Sequence, residues 1–297
     1  LKNFEKKYDI GLLELGSNDR ILNHYNEYYN FSKNQILSIL EQECRLFEKI
    51  LDDVKPHFFI TNETALQPHH LFYKLCQKQG IKILMLNHAN WNTLCYISEE
   101  RHKLDNQHSL SIENSKKYTF YELQKILERS NIAKHHTKFH KQIKKSKSSI
   151  VKAAFELLFL SKNSNLKTHY TYYGRTKLRV LSKELMSLTE KRKRESFINK
   201  NLLRFESKTK PFIYLPLHQE PERSLLIGAP RFSDQIETIR QVAKNLPSGF
   251  ELYVKEHPTQ GPARNWRDIS FYKQIINIAD VKLFHPSTDS TLLMKNS

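Results

Sequence analysis

The stretch Phe250-Glu-Leu-Tyr-Val-Lys-Glu-His-Pro258 decides how we interpret the fold of this chain. Its first five residues are mostly apolar and β-rich, which predicts a short buried strand. A cation, a carboxylate and an imidazole next to a proline follow at the carboxyl end of that strand: Lys255, Glu256, His257 and Pro258. Ligands bind at this end of the strands in an open α/β sheet, because side chains and helix N-termini converge there. Two interpretations stay open, an anion-binding site and an ordinary polar strand-to-loop transition.

The sequence around this stretch has the pattern of a βαβαβ unit, which is half of a doubly wound α/β domain. Two further apolar runs predict strands, and two amphipathic segments predict the connecting helices, the first with Ser233 as its cap. The predicted strands are 211–217 and 281–284, and the predicted helices are 234–245 and 270–278. We therefore expect residues 206–297 to form a Rossmann-like domain.

Polar side chains also follow the other two strands of this unit. The first strand is followed by His218, Glu222 and Arg223, and the third by Ser287 and Thr288. Because the carboxyl ends of parallel strands lie at one edge of a sheet, we expect these clusters to meet there. Ser287 and Thr288 would open the last helix, where hydroxyls, free N–H groups and the helix dipole suit a phosphate. A structural N-cap alone would explain one of the two.

Residues 1–105 also have an α/β pattern and are predicted to form a first Rossmann-like domain. The predicted elements are a strand at 8–15, a helix at 32–51 capped by Ser32, a strand at 58–61, a helix at 68–79 and a strand at 81–86. The last three elements describe a βαβ unit, whose connection should be right-handed.

The strand ends of this first region carry their own polar residues. Glu63 lies at the end of one predicted strand, and His88, Asn90, Trp91 and Asn92 directly follow the next. An aromatic face that stacks on C–H groups, with amides for hydroxyls, would suit a sugar. A surface loop with one packed tryptophan explains the same residues.

Between these regions, residues 106–205 are poor in glycine and rich in lysine, and they predict a basic helical connecting region. Helical patterns cover 118–130, 143–160 and 175–188. The strongly apolar segment 150–160 predicts a buried interdomain helix. The basic run 191–194 is explained by a solvated helix end or, as the more specific alternative, by contact with anionic lipid headgroups or an acidic glycan.

The composition limits the partners and the compartment. The formal net charge of +17 suits nucleic acid, an anionic membrane surface, an acidic polysaccharide or a nucleotide-sugar. No zinc-finger spacing, RNP signature or glycine-rich KH loop is present, so we expect no nucleic-acid partner. The three cysteines are far apart, which favours a reducing cytoplasm over a disulfide framework.

Neither a membrane span nor a metal centre is predicted. No apolar run approaches the roughly 20 residues that cross a bilayer, so a contact with a membrane would be peripheral. His135, His136 and His140 have lysine neighbours, which disfavours a divalent metal there.

The three clusters of the last third carry a resemblance to a known family. They are Tyr214-Leu-Pro-Leu-His-Gln-Glu-Pro-Glu-Arg223, Leu252-Tyr-Val-Lys-Glu-His-Pro258 and Pro286-Ser-Thr-Asp-Ser290. In order and spacing this region of about 90 residues resembles the capsule or surface polysaccharide biosynthesis proteins, a family similar to the bacterial Kdo transferases and sialyltransferases of GT-B fold. Residues 68–86 carry a weaker second similarity.

The resemblance implies two Rossmann-like domains facing a cleft and metal-independent transfer from a nucleotide-sugar, most simply a CMP-sugar, to a glycan or lipid-linked acceptor. It implies that His257, Pro258, Ser287 and Thr288 bind the nucleotide phosphate. We add Lys255, Glu256, His218 and Arg223 as binding candidates, with His257 also stabilising the leaving phosphate. No cofactor is expected.

Two departures from the family pattern matter. The acidic-acidic-glycine motif that supplies the base in the sialyltransferases is not evident, so Glu63 is our candidate base and Asp19 the second candidate. The glycine-rich segment beyond the last helix is also missing, which we interpret as a truncated C-terminus and an incomplete second domain, so that this fragment could be inactive. A non-catalytic biosynthesis or export partner of the same fold is the first alternative function, and a basic nucleic-acid-binding protein is the second. The expected location is the cytoplasm, at the inner face of the cytoplasmic membrane.

Overall fold

Two small three-stranded sheets, each packed against helices, give the chain its mixed α/β character, as the sequence predicts. The computed structural model describes residues 1–17, 19, 22, 28–89, 95–105, 117–129, 152–160, 173–206, 210–261 and 266–297. The chain divides into two compact units. The first comprises Leu1–Tyr25 and Asn30–Lys141, and the second comprises Asn26–Tyr29 and Gln142–Ser297.

The first unit contains one sheet and five described helices. In chain order its elements are α1 (Lys2–Tyr8), α2 (Leu12–Ser17), α3 (Lys33–Val54), β1 (Phe58–Asn62), α4 (Gln67–Lys78), β2 (Lys82–His88), β3 (Cys95–Ser98) and α5 (Phe120–Arg129). Strands β1 and β2 are parallel and are connected by α4, which confirms the predicted βαβ unit. Strand β3 is antiparallel to β2 and was not predicted.

The predicted strand at 8–15 is wrong, because this segment forms the end of α1 and most of α2. Asp9 ends α1 in a left-handed conformation with φ of 49°. Helix α2 then packs so closely on α3 that a Cβ on Gly16 would lie 2.9 Å from side-chain atoms of Ile36 and Leu40. A short apolar run does not by itself distinguish a strand from a buried helix.

Helix α3 begins as predicted at Ser32, whose side chain accepts a hydrogen bond from the N–H of Gln35. The side chain of Gln35 accepts the N–H of Ser32 in return, which completes a capping box. The core of this unit lies between the helices and one face of the sheet, with Leu40, Leu71 and Leu75 fully buried.

The other face of this sheet is apolar and exposed. Ile60 of β1 and Leu84 of β2 lie opposite each other, as do Leu86 of β2 and Ile97 of β3. The exposed fractions of Ile60 and Ile97 are 78% and 62%, and Phe58 of the same face is 61% exposed. We call this surface the open face of the first sheet.

The connecting region is described only in part. Residues 152–155 are helical, and Glu156–Leu160 forms a π-helical turn. The prediction of a buried helix is wrong for the described residues, because Phe155, Phe159 and Leu160 are each more than half exposed. Helix α6 (Lys177–Asn201) contains the basic run 191–194 and is longer than predicted. His135, His136 and His140 lie outside the described residues.

No described helix is both long enough and apolar enough to span a bilayer.

The second unit has a fully parallel sheet in the order β4-β5-β6, comprising Phe212–Pro216, Glu251–Lys255 and Val281–Phe284. Its further helices are α7 (Arg223–Leu226), α8 (Gln235–Lys244), α9 (Ile269–Ile276) and α10 (Ser290–Asn296). Every residue of the central strand β5 is buried, which confirms the strand that the sequence predicted. The alternating side chains of β5 serve two cores.

One core lies between the sheet and the helices α6, α8 and α9, and contains Leu252 and Val254 of β5. The other contains Tyr253, with Phe212, Phe284 and Leu293 around it. By this alternation Lys255 lies on the Tyr253 face and Glu256 on the Val254 face. The two neighbouring residues therefore cannot act in the same way at the strand end.

Two predicted caps are corrected by the structure. Helix α8 is capped by Asp234, whose side chain accepts the N–H of Glu237, while the hydroxyl of Ser233 donates to the carbonyl of Pro230. The last helix begins at Ser290 and is capped by Asp289, which accepts the N–H of Thr291. Ser287 and Thr288 therefore precede this helix and do not open it.

Candidate functional site

The carboxyl ends of β4, β5 and β6 lie side by side at one edge of the second sheet. Pro216 pairs with Lys255, and Lys255 pairs with Phe284 on its other side. The backbone pairing continues past the strands, since the N–H of Leu217 donates to the carbonyl of Lys255 at 2.9 Å. The residues that follow each strand are therefore about 5 Å from the next strand, as neighbouring strands are.

Glu256 connects the segments at this edge through buried hydrogen bonds. It is 0% exposed, and its Oε2 atom accepts hydrogen bonds from Arg267 Nε at 3.0 Å and from the Tyr272 hydroxyl at 2.9 Å. Its Oε1 atom accepts the N–H of His257 at 2.6 Å. Burial and the charge of Glu256 raise the pKa of the Tyr272 phenol, so the phenol stays a donor. A ligand therefore has no access to Glu256, contrary to the role that we predicted for it.

Arg267 connects the ends of β4 and β5. Besides Glu256, its guanidinium donates to the carboxylate of Glu220 and to the carbonyl of His218. The side chain of Arg267 is only 5% exposed, so these bonds replace its water shell. The position of the β4 loop is thus fixed relative to the His-Pro segment after β5.

The loop after β4 is further fixed by Gln235 of α8. Its Oε1 atom accepts the N–H of His218 at 2.7 Å, and its Nε2 atom donates to the His218 carbonyl at 3.1 Å. Gln260 bonds to the backbone of Glu220 in the same way, with distances of 2.8 and 3.1 Å. This predicted binding loop is therefore preorganised by amides from two other segments.

His257 lies half-buried at the centre of the edge. Its Nδ1 atom lies 2.9 Å from the hydroxyl oxygen of Thr259 and 3.3 Å from the N–H nitrogen of the same residue. Burial lowers the pKa of His257 to about 4, and Lys255, His218 and Arg267 contribute in the same direction. The imidazole is therefore neutral at pH 7 and is a hydrogen-bonding group rather than a charge.

Lys255, the last residue of β5, is a buried basic group on the Tyr253 face of the sheet. It is 3% exposed, and its Nζ atom is 3.5 Å from the carbonyl of Glu256. Burial lowers its pKa, and the charges of Glu256 and Asp289 oppose that effect. Lys255 is therefore too buried to make direct contact with a ligand at the edge.

His285 and Ser287 follow the end of β6. The Nδ1 atom of His285 is 2.6 Å from the Ser287 hydroxyl oxygen, and its Nε2 atom is 3.1 Å from Asn199 Oδ1. The guanidinium of Arg204 lies 3.4 Å from the same hydroxyl. Arg204 reaches this place because Leu203 pairs with β6 beside Phe284. Burial, with Arg204 and Lys255, lowers the pKa of His285.

Thr288, the second hydroxyl of the predicted pair, is oriented inward. Its hydroxyl oxygen is buried and has no hydrogen-bond partner within the described part of the chain. Ser287 is exposed, so only one of the two predicted hydroxyls lies at the surface. The carboxylate of Asp289 at the start of α10 also makes that helix end a poor anion site.

A cavity of about 380 Å³ adjoins the end of β4. Its size is within the range of small-molecule pockets, and most of its wall is apolar. The lining residues are Leu215, Pro216, Leu217, His218, Ser224, Leu225, Ala229, Phe232, Gln235 and Thr238. Arg223, a predicted binding residue, begins α7 directly before the lining residue Ser224. His218 belongs both to this wall and to the surroundings of His257.

The predicted base candidates lie in the first unit and are both engaged. Glu63 forms an ion pair with Arg101 at 2.9 Å, and its other oxygen accepts the N–H of His88 at 3.3 Å. Asp19 is 2% exposed and accepts the N–H groups of Leu22 and Gln67. Asp19 thus caps the start of α4 from a distant part of the chain. Asn90, Trp91 and Asn92 lie outside the described residues.

One comparison with known proteins agrees with the resemblance to the capsule polysaccharide biosynthesis proteins. The family model described as capsule polysaccharide biosynthesis protein matches residues 111–297, which include all three strand ends of the second sheet. The chain belongs to the capsule polysaccharide biosynthesis family. Comparison with curated proteins and with solved structures gave no match.

Sequence reasoning missed several residues that shape the site of this capsule biosynthesis protein. Arg267, Asn199 and Arg204 approach the edge from segments whose patterns contain no signal for such a role. Glu43 in α3 was also missed. Burial raises its pKa to about 7, and Asp19 adds to the shift. The amide of Gln67 donates to Glu43 at 2.8 Å, which places this carboxyl near the start of α4.

Proposed function

We propose that this capsule biosynthesis protein is a glycosyltransferase that takes its sugar from a nucleotide-sugar and passes it to a glycan or lipid-linked acceptor. A CMP-sugar is the first donor to test, because the resemblance to the sialyltransferases implies it. The two units would be the two Rossmann-like domains of a GT-B enzyme. We place the protein in the cytoplasm, at the inner face of the membrane.

One observation carries this proposal. A neutral imidazole donor, His257, lies at a sheet edge with Lys255 beneath it, next to a cavity of about 380 Å³ that shares His218 with this edge. A nucleotide-sugar has an anionic phosphate beside a flat base and a ribose. The edge would bind the phosphate, and the apolar cavity one strand away would hold the base and the ribose.

The proposed chemistry is displacement at the anomeric carbon. An acceptor hydroxyl attacks this carbon while a carboxylate removes its proton, and the bond to the phosphate oxygen breaks. His257 donates a hydrogen bond to the departing phosphate, and the field of Lys255 favours its negative charge. No cofactor is part of this proposal. Glu63 stays our candidate base, with Asp19 second, and each would first have to leave its present partners.

Titration calorimetry with a panel of CMP-, UDP- and GDP-sugars tests the function. We expect binding of one nucleotide class, with affinity lost in His257→Ala and in Ala229→Phe, which adds a bulky side chain at a lining residue of the cavity. His57→Ala, a change at an exposed histidine of the first unit, is the matched control and should bind normally. Transfer activity should also disappear in His257→Ala. If wild-type protein binds none of these donors, the proposal fails.

A second function is favoured by the engagement of both base candidates. The ion pair of Glu63 and the cap made by Asp19 leave neither carboxylate positioned as a base in this conformation. A non-catalytic partner that binds a nucleotide-sugar without turnover would fit these contacts. Chromatography of the sugar donor after many hours with the protein distinguishes this partner from an enzyme. A non-catalytic partner binds the donor but forms no product.

A further inference from the structure

Two corners of the second unit share a His-Pro pair followed by a hydroxyl residue, and they share the same hydrogen bonds. His257-Pro258-Thr259 follows β5, and His285-Pro286-Ser287 follows β6. In each corner the histidine Nδ1 atom faces both the backbone N–H and the hydroxyl of the residue two positions later. The distances are 3.3 and 2.9 Å in the first corner, and 3.1 and 2.6 Å in the second.

These contacts decide which ring nitrogen carries the proton. A backbone N–H can only donate, so the Nδ1 atom that faces it must accept. The hydroxyl then donates to the same nitrogen, and a neutral imidazole keeps its proton on Nε2. Both histidines are therefore held as the Nε2–H tautomer by their own corner.

The two corners differ in what the Nε2–H group meets. In His285 it donates to Asn199 Oδ1 at 3.1 Å, a contact that joins the end of β6 to α6. For His257 no protein acceptor lies within hydrogen-bonding distance of Nε2 in the described part of the chain. One corner is thus closed by the protein, while the other presents a donor at the centre of the edge.

We propose that Thr259 is a positioning residue that holds His257 as a neutral Nε2–H donor for an anionic oxygen of the ligand. Its assignment to a nucleotide phosphate rests on the proposed function, whereas the tautomer does not. A neutral donor of fixed orientation can bond to an oxyanion without first losing or gaining a proton. The low pKa of His257 agrees with this role.

The tautomer is measured directly by long-range ¹H–¹⁵N correlation spectra of protein with ¹⁵N-labelled histidine, assigned with His257→Gln. We expect wild type and Thr259→Ser to show the Nε2–H form of His257 at pH 7. Thr259→Val should show a mixture of the two neutral forms, because one of the two donors to Nδ1 is lost. Ser287→Ala is the matched control and should alter the signals of His285 only.

The functional arm uses titration of a CMP-sugar into the same proteins. Thr259→Val should weaken binding by about three- to tenfold, the range of one neutral hydrogen bond, and Thr259→Ser should restore it. An Nδ1–H or doubly protonated His257 in wild type would overturn the inference, as would equal affinity in Thr259→Val and wild type. Absence of binding of every CMP-, UDP- and GDP-sugar in wild type, with the tautomer as expected, would instead count against the proposed function alone.

Discussion

The contact between Arg267 and Glu256 gives the most direct test of how the site is held together. Replacing Arg267 by Met removes the bonds to Glu256, to Glu220 and to the carbonyl of His218. The side chain of Met fills a similar apolar volume but carries no charge. Glu256 is 0% exposed and would keep only the Tyr272 hydroxyl and a backbone N–H as donors.

Removing one partner of a buried ion pair typically costs about 3–5 kcal/mol, because the other charge stays buried without compensation. We expect Arg267→Met to destabilise the second unit by this amount. Adding Glu256→Gln should recover about 2 kcal/mol, since the uncompensated charge is then gone. Arg240→Met removes a guanidinium that is 48% exposed and should cost less than about 0.5 kcal/mol.

The assay is urea unfolding followed by tryptophan fluorescence. The chain has two tryptophans, so Trp91→Phe leaves Trp266 as a single reporter that packs on the core beside Arg267. A loss below about 1 kcal/mol in Arg267→Met would refute the reasoning. So would a double variant as unstable as the two single changes combined.

Two further predictions concern the first unit. Glu43→Gln should stabilise the unit at pH 8 by up to about 3 kcal/mol and change nothing at pH 4, because the folded protein holds a proton on Glu43 up to about pH 7 that the unfolded chain releases near 4.5. The stability of wild type relative to this variant therefore falls as the pH rises through that window. Hydrogen exchange of α3 and α4, compared between the two proteins at pH 4 and at pH 8, measures this difference. Equal protection of the two proteins at pH 8 would contradict the pKa shift of Glu43. Ser32→Ala should cost about 1 kcal/mol by removing the capping box with Gln35, whereas Ser38→Ala in the same helix should not, and thermal unfolding of the pair checks this.

The sequence was most informative where a pattern is local. The strand β5 is apolar at its three central residues and is buried throughout, and Val281–Phe284 was predicted with its observed bounds. The segment 8–15 has a similar apolar run but forms the end of α1 and most of α2, which pack on α4 and α3, so the tertiary surroundings and not the run decided its structure. Strand β3 has only four residues, too few to show a period.

The site was predictable only in part, because its residues reach the edge in two different ways. Lys255 and His257 follow a strand, so topology alone places them at the carboxyl end. Arg267 returns to this edge from a segment in which Trp266 packs against the core. The ring of Trp266 lies so close to Gly261 that a Cβ on Gly261 would be 2.1 Å from it. Such a return depends on packing, and no spacing in the sequence encodes it. The alternation along β5 was the available signal that Glu256 would face inward.

The open face of the first sheet bears on the choice of acceptor in any transfer assay. A row of Ile60, Leu86 and Ile97 offers acyl and polyprenyl chains a place to adsorb that has nothing to do with turnover. Retention of a lipid-linked acceptor on this protein would then report non-specific hydrophobic adsorption and not specific binding. Water-soluble oligosaccharides avoid that ambiguity. The substitution Ile60→Lys would show how much of any lipid retention comes from this row.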